Sequence, residues 1–211
     1  LATYSPQAMT EQAGLVLEWY LSGVSGTVSE RDKHSFSQTI LDVLLQHASD
    51  ADVLIQRDYH SENLLWLPDR VGLKRVGLLD FQDATRGHRM YDLVSLLQDA
   101  RRDVPPDLEA KMLRRYAEGF GKTPQDDEVA YAVLGAQRNL RIIGVFARLG
   151  LRDEKLHYLD LMPRVWDLLM RNLAHPALTD LRQMTTDLLP APSDAIRNTL
   201  RQQCAPTPML S

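Results

Sequence analysis

The sequence predicts a mainly α-helical domain that contains a small β-hairpin. Apolar residues recur at helical spacing over most of the chain before residue 50 and after residue 90. Only between residues 53 and 79 do short apolar runs of strand length alternate with polar clusters. Because strands and helices do not alternate along the chain, we do not expect a doubly wound parallel sheet.

Composition excludes several classes of protein. The chain has 211 residues, of which 44% are hydrophobic and 25% charged, as in ordinary globular domains. A net charge of −4 gives no reason to expect a nucleic-acid partner. No apolar run reaches the ~18 residues that a membrane span needs, so we expect no membrane partner. The single cysteine, Cys204, excludes an internal disulfide and fits a reducing compartment, so we expect a cytoplasmic location.

The first fifty residues predict two helices. Residues 8–22 place apolar side chains at helical spacing, and residues 23–29 contain glycine and serine typical of a loop. Ser35 is a candidate N-cap for a second helix, whose broad apolar face includes Phe36, Ile40 and Leu44. Residues 49–52 are polar and end this helix.

The central part of the chain predicts three short strands. Residues 53–55 form an apolar run that leads into a polar loop. Residues 64–67 and 75–79 are two more apolar runs, and residues 68–72 between them have the composition of a turn. We therefore predict that the second and third strands form a hairpin.

After Asp83 the pattern is helical to the end. Helices are predicted over residues 91–100, 106–119 and 176–189, each of the last two starting at a proline. Thr123 and Pro124 predict the start of a helix that runs to about Gly150. Asp153 is expected to open another helix, which Pro163 kinks or divides, and Ser193 is expected to cap a last short helix.

Three polar residues of the central region have the types that phosphoryl transfer requires. Asp58 and Asn63 form an Asp-x-x-x-x-Asn pair in the loop between two strands, and Asp80 ends an apolar strand. Such chemistry needs one carboxylate for the hydroxyl proton, and an amide oxygen with a second carboxylate for Mg²⁺. A second pair with this spacing, Asp167 and Asn172, lies in a helical pattern, and we interpret it as chance.

The same region resembles a known family. Residues 56–63, 79–81 and 87–93 resemble the aminoglycoside phosphotransferase/choline kinase family, which shares its two-lobed fold with protein kinases. Residues 57–61, 80–84, 91–99 and 143–149 are similar to one subgroup, the bacterial cell-wall sugar kinases. Those enzymes phosphorylate N-acetylmuramate and N-acetylglucosamine at the anomeric hydroxyl.

The resemblance implies a fold and a set of roles. The chain, residues 1–211, would be the helical C-terminal lobe of a protein-kinase-like fold, with a catalytic and metal segment at 53–92 and acceptor-side helices at 104–203. Asp58 would be the catalytic base, Asn63 and Asp80 would bind Mg²⁺, and ATP would be the co-substrate. Asp92 would be a buried acid that braces the catalytic loop through backbone N–H groups.

The resemblance also has departures. Gln56 stands where the family usually has a histidine, and glutamine cannot carry a positive charge. Nothing before residue 53 resembles the family's phosphate-covering loop or its strand lysine. We therefore expect the N-terminal nucleotide lobe to belong to the same protein but to be absent from this sequence. The chain alone would then be incomplete for activity.

Further residues near the predicted site are expected to support it or to contact the acceptor. Arg57 is expected to support the loop by pairing with a neighbouring acid. His60 is expected to be a hydrogen-bonded loop histidine, with a catalytic role as the alternative. Asp83 is either an acid that supports the site or a solvated loop residue. A last group, on one helix, either contacts the acceptor or forms a solvated or salt-bridged face: Arg138, Asn139 and Arg141.

The predicted function is an ATP-dependent phosphotransferase that acts on a hydroxyl of a small molecule, with an amino sugar as the first candidate. An aminoglycoside, choline or another small alcohol is the alternative acceptor. Arg138 and Arg141 favour an anionic or neutral acceptor over a polycation, and N-acetylmuramate carries a carboxylate. The alternative from another class is a non-catalytic, kinase-like binding module, against which the intact Asp58, Asn63 and Asp80 argue.

Overall fold

A computed structural model of the chain describes residues 1–204, with only the backbone of Cys204. The Cys204 thiol and residues 205–211 of the predicted lobe lie outside the described part. The structure is 68% helical and has two small antiparallel sheets of two strands each, which confirms the predicted fold class. The α-helices are α1 (Pro6–Ala13), α2 (Ser22–Ser25), α3 (Glu30–His47), α4 (Met90–Leu97), α5 (Pro106–Gly119), α6 (Glu128–Leu151), α7 (Met162–Leu173), α8 (Thr179–Leu188) and α9 (Asp194–Cys204).

The strands are short and lie between α3 and α4. They are β1 (Val53–Ile55), β2 (Leu64–Trp66), β3 (Val76–Leu78) and β4 (Thr85–Gly87). Strands β2 and β3 form the predicted hairpin, with Leu64 opposite Leu78. Strand β4 pairs with β1, which corrects the expectation that the chain is helical throughout after Asp83. Three residues are too few to show a period of two, so the pattern alone did not reveal β4.

The N-terminal helices differ from the prediction in their bounds. Between α1 and α2 the chain forms a π-helical segment, Val16–Leu21, so the helical region continues to Ser25. Of the predicted loop, residues 23–29, only residues 26–29 are therefore outside a helix. The N-cap of α3 is Ser29, whose Oγ accepts a hydrogen bond from the Asp32 N–H at 3.1 Å. Ser35 lies inside α3, so its predicted capping role is wrong.

Two predicted helix starts in the second half of the chain have different outcomes. The Thr123 start is confirmed, since Thr123 and Asp126 form a capping box before a 3₁₀ turn that continues into α6. Asp153 does not open a helix, because its carboxylate binds the Arg152 guanidinium and Glu154 adopts a left-handed conformation with φ of 56°. Instead α7 begins at Met162 and carries Pro163 in its first turn, where proline is tolerated.

Helix α6 is the axis of the helical body. It packs against α4, α7, α9 and the π-helical segment, and its Leu134, Leu140 and Ile143 are fully buried. Gly144 permits a close approach to the π-helical segment, because a Cβ atom there would lie 2.4 Å from the carbonyl carbon of Leu15. The strands and their loops therefore lie at the edge of a body that buries its own core.

Candidate functional site

The loop between β1 and β2, residues 56–63, is fixed at its start by Asp92. This carboxylate, in the first turn of α4, accepts hydrogen bonds from the N–H groups of Gln56 at 2.7 Å and Arg57 at 3.1 Å. Arg57 has a φ of 69°, a left-handed conformation that is rare for a residue with a side chain. Burial raises the pKa of Asp92, although the two N–H donors lower it. The residue that follows this braced pair is Asp58.

A second carboxylate, Asp99, holds the far part of the same loop. Its Oδ2 accepts hydrogen bonds from the Oγ of Ser61 at 2.6 Å and from the Ser61 N–H at 3.3 Å. Burial raises the pKa of Asp99, but the donors from Ser61 and the Arg101 N–H outweigh it, and the net shift is downward. The sequence reasoning missed Asp99 as a site residue. Its spacing of seven residues from Asp92, two helical turns, was the available signal.

Asn63 and Asp80 lie at the same end of the hairpin. The Leu79 N–H donates to the Asn63 carbonyl at 2.9 Å, which extends the β2–β3 ladder by one residue pair up to Asp80. The Asn63 Nδ2 donates to the Asp58 carbonyl at 2.9 Å, which leaves Oδ1 as the oxygen for a metal. Asp80 is exposed, has a φ of 54° and accepts a hydrogen bond from Gln82 Nε2. Backbone and amide contacts thus connect the three predicted residues.

Arg141 of α6 faces Asp58. Its Nη2 lies 3.9 Å from Asp58 Oδ1, and its Nη1 lies 3.3 Å from the Tyr91 hydroxyl. The Asp58 side chain is 38% exposed and that of Arg141 is 19% exposed, so both can be reached from solvent. Burial lowers the pKa of Arg141, but neighbouring acidic groups, Tyr91 first, outweigh it and raise the pKa. The arginine therefore keeps its charge beside the candidate base.

Arg57 does not pair with an acid, which corrects the prediction. Within residues 1–204 its guanidinium forms no ion pair and instead lies 5.0 Å above the ring of Tyr4. Tyr4 reaches this position because its N–H donates to the carbonyl of Arg86 in β4, which places the N-terminal segment beside the sheet. His60 Nε2 lies 3.4 Å from Asn63 Nδ2, and burial lowers the pKa of His60. A loop-supporting role for both residues stays a prediction.

Within the part of the chain that the structure describes, three other predicted residues form no hydrogen bond or ion pair with Asp58, although the charge of Arg138 acts on Asp58 and Asp99. Asn139 is 1% exposed and donates to Gln98 Oε1 at 3.1 Å, so it belongs to a buried amide network rather than to a binding surface. Arg138 is 6% exposed and donates to the Gln98 carbonyl at 3.3 Å, which also excludes a solvated face there. Asp83 is exposed, and no hydrogen bond or ion pair of the described residues joins it to Asp58, Asn63 or Asp80. Arg141 is the member of the predicted set that meets the site.

The donor set fits Mg²⁺ bound together with a nucleotide rather than a metal held by protein alone. The described residues contain no group of three or more histidine, cysteine, aspartate or glutamate side chains that could hold a metal. The candidate ligands are one amide oxygen, of Asn63, and one carboxylate, of Asp80. Mg²⁺ is commonly bound through one or two such groups, with phosphate oxygens and water completing its octahedron.

A cavity of about 560 Å³ lies next to Asp99, between the end of α4 and α7. This volume is within the range of small-molecule sites. Its lining includes four aspartates (Asp99, Asp103, Asp160 and Asp167) and three arginines (Arg102, Arg164 and Arg171), with apolar side chains such as Leu97, Val104 and Pro163. Charged groups of both signs beside apolar surface suit a molecule with several hydroxyl groups.

Comparison with known proteins assigns the chain to a family. A sequence model described as the phosphotransferase enzyme family matches residues 3–134. The chain belongs to the phosphotransferase enzyme family. The residues matched by the family include the loop 56–63, the hairpin and both bracing carboxylates. The family membership expected from the motifs is therefore confirmed.

Individual relatives in the phosphotransferase family share one description. An N-acetylmuramate/N-acetylglucosamine kinase of Caulobacter vibrioides is 49% identical over 138 residues, which cover 64% of this chain and 37% of that protein. Proteins of the same name from Pseudomonas aeruginosa and Neisseria meningitidis are 30% and 31% identical over 89% and 81% of this chain. The chain covers 57% and 52% of those two proteins, so it spans about half of the relatives' length. A membrane-spanning helix is not found in residues 1–204, whose helices are too short or too polar for one.

Proposed function

We propose that the full-length protein carrying this chain is an ATP-dependent kinase of an amino sugar, with N-acetylmuramate and N-acetylglucosamine as the first candidate acceptors. The observation that carries the proposal is the loop 56–63, in which Asp92 braces the two residues before Asp58 and Asn63 links Asp58 to the hairpin end at Asp80. Family membership and the shared description of the relatives support it. A non-catalytic module would not need this set of groups.

Asp58 is the residue that would handle the proton. Its partly exposed carboxylate can orient the acceptor hydroxyl and accept its proton as the oxygen bonds to the γ-phosphorus and the bond to ADP breaks. Asn63 Oδ1 and the Asp80 carboxylate would hold Mg²⁺, which neutralises charge on the ATP phosphates when it is bound. Because phosphoryl transfer depends mainly on positioning, the bracing of this loop is part of the proposed chemistry.

The acceptor side is proposed to be formed by helices 104–203 together with the cavity beside Asp99. The hydroxyl groups of a sugar suit the other aspartates and arginines of the lining, since the Asp99 carboxylate is already held by Ser61 and Arg101. Arg102 can meet the carboxylate of N-acetylmuramate, whereas Arg164 already pairs with Asp103. Arg141 lies beside Asp58 and also favours a neutral or anionic acceptor. The cavity has four aspartates and three arginines in its lining, so its charge does not rank the acceptors. The shared description of the relatives is what favours an amino sugar over an aminoglycoside.

The nucleotide is proposed to bind between this lobe, residues 1–211, and a second lobe of the same protein. The segment 53–92 would supply the catalytic and metal-binding groups. The hairpin and its flanks expose several large apolar side chains: Trp66 at 65%, Val71 at 82%, Leu73 at 94% and Phe81 at 66%. An adjoining lobe would cover such a surface, and the relatives are long enough to contain one.

The decisive experiment is an acceptor panel with the full-length protein, ATP and Mg²⁺. N-acetylmuramate and N-acetylglucosamine are expected to cause ATP consumption, with the anomeric hydroxyl phosphorylated as judged by NMR, and a chelator is expected to stop the reaction. Choline and aminoglycosides serve as the comparison acceptors. If ATP consumption does not depend on any acceptor, or depends on choline alone, the proposal is wrong.

A further inference from the structure

We infer that Asp99 is a positioning residue that holds the turn carrying Asn63, and so controls how that side chain meets a metal. The turn is the 3₁₀ segment Ser61–Asn63 at the end of the loop. The consequence for metal binding rests on the proposed function, whereas the holding of the turn does not. Asp99 itself would touch neither nucleotide nor metal in this role.

The contacts of Asp99 point to the turn. Both polar groups of Ser61 donate to one carboxylate oxygen, the hydroxyl at 2.6 Å and the N–H at 3.3 Å. The other oxygen accepts from the Arg101 N–H at 2.9 Å. Arg101 reaches back to the same turn, since its Nε lies 3.1 Å from Glu62 Oε2. Ser61 is thus held by its backbone and its side chain at once.

Because Asp99 is buried, these contacts are important for holding the turn. The residue is 2% exposed, so its carboxylate depends on protein donors rather than water. Hydrogen bonds to a charged acceptor are about twice as strong as neutral ones, and the Ser61 hydroxyl contact has the short length typical of that class. Removing the charge should therefore loosen the turn rather than leave it in place.

Movement of Ser61 would be transmitted to Asn63. The Asn63 N–H donates to the His60 carbonyl at 2.9 Å, and its Nδ2 donates to the Asp58 carbonyl. Asp92 fixes the loop before Asp58, so Asp92 and Asp99 clamp the loop on its two sides. Without the hydrogen bonds from Ser61 to Asp99, Asn63 Oδ1 would no longer be held in a fixed relation to Asp80. Groups that orient metal ligands typically change metal affinity or activity by about 10–100-fold.

The test compares Asp99→Asn, Ser61→Ala and the double variant in the full-length protein. Asp127→Asn is the matched control, because Asp127 is also a buried acid, 4% exposed, but its partner is Arg89 rather than the loop. The measurements are kcat, the Mg²⁺ concentration for half-maximal rate, the acceptor KM and amide hydrogen exchange of residues 60–64.

Asp99→Asn is expected to raise the half-maximal Mg²⁺ concentration about 10–100-fold, with the acceptor KM nearly unchanged. Exchange at residues 60–64 should be faster than in the Asp127→Asn control. Ser61→Ala should act in the same direction but less, and the double variant should be no worse than Asp99→Asn, because both changes remove the same interaction.

Three outcomes would overturn the inference: unchanged exchange at residues 60–64, an unchanged Mg²⁺ requirement in an active enzyme, or an effect confined to the acceptor KM. The last would make Asp99 an acceptor contact. If the wild-type protein has no kinase activity, the proposed function fails, and the exchange measurement still decides whether Asp99 holds the turn.

Discussion

The helical body and the loop–hairpin region, residues 56–83, differ in how they treat apolar side chains. The body buries its apolar residues, as the fully buried Leu140 and Ile143 of α6 show. The loop–hairpin region leaves large apolar side chains such as Leu73 exposed and concentrates polar groups at its ends. Its loop is tied to the body by hydrogen bonds to two carboxylates, Asp92 and Asp99. We therefore expect the helical body to provide most of the stability and the loop–hairpin region to provide the proposed chemistry.

The largest expected effect is on the catalytic rate and comes from a substitution in the loop–hairpin region. Asp58→Asn should lower kcat of the full-length enzyme by about 10²–10⁴, the usual weight of a general base. The unfolding free energy should change by less than about 0.5 kcal/mol, because the side chain is partly exposed and its ion pair with Arg141 is long. Steady-state kinetics and urea unfolding measure the two effects.

The control for Asp58→Asn is Asp69→Asn, an exposed acid in the turn of the hairpin. It should leave both the rate and the stability unchanged. A wild-type rate in the Asp58 variant would remove that residue from the role of base. A large drop in the unfolding free energy would show that the loop–hairpin region also contributes strongly to the stability of the fold.

The next effect separates the two regions by stability. Leu140→Ala in α6 should cost about 2–5 kcal/mol of unfolding free energy, because it deletes a fully buried side chain. Leu73→Ala in the hairpin turn should cost less than about 0.5 kcal/mol, because Leu73 is 94% exposed. Urea unfolding of the 211-residue chain compares them. Equal costs for the two substitutions would contradict the division between body and edge.

A third, smaller effect tests the packing of the body. Gly144→Ala should destabilise by about 1–3 kcal/mol, because the new Cβ would lie 2.4 Å from the backbone of Leu15, which cannot move aside like a side-chain tip. Gly119→Ala in α5 is the matched control, since nothing lies within 4 Å of a Cβ there. It should be neutral or slightly stabilising. A neutral Gly144→Ala would mean that α6 does not hold the π-helical segment closely.

The sequence predicted the parts of this division that depend on local patterns. The hairpin followed from two apolar runs around turn residues, and the start of α6 followed from Thr123 and Pro124, because each signal lies within a few residues. The apolar periodicity also predicted that the region outside residues 53–79 is mainly helical. Asp58, Asn63 and Asp80 could be singled out because their types and their places at strand ends are visible in one dimension.

Tertiary contacts explain what local patterns missed. Strand β4 exists because β1 and the N-terminal segment supply hydrogen-bond partners from distant parts of the chain. Arg57 packs over Tyr4 instead of pairing with an acid, because the N-terminal segment is brought beside it from a distant part of the chain. Asn139 looked like its neighbours on α6, but a rotation of about 100° per residue directs it into the amide network with Gln98. Asp99 holds the loop because the segment that follows α4 lies beside Ser61, a contact that no local pattern reveals.

The smallest expected effects are on the pH dependence of the unfolding free energy. They arise at Asp92 and Asp99, the two carboxylates that tie the loop to the helical body. The pKa of Asp99 is lowered, so its charge stabilises the fold above the ordinary carboxyl pKa of about 3.9, and this stability is lost as pH falls through the lower folded value. The pKa of Asp92 is raised, so the folded state binds its proton more tightly. The contribution of Asp92 therefore decreases as pH rises from about 3.9 to the folded value.

Asparagine at these two positions should give opposite pH slopes in unfolding free energy between about pH 3.5 and 7. The stability deficit of Asp99→Asn relative to wild type should grow as pH rises, whereas that of Asp92→Asn should shrink. Urea unfolding over a pH series measures both, with Asp69→Asn as the exposed control. Parallel slopes for the two variants would mean that burial dominates at both positions, and that the donors from Ser61 do not single out Asp99 as the stronger anchor of the loop.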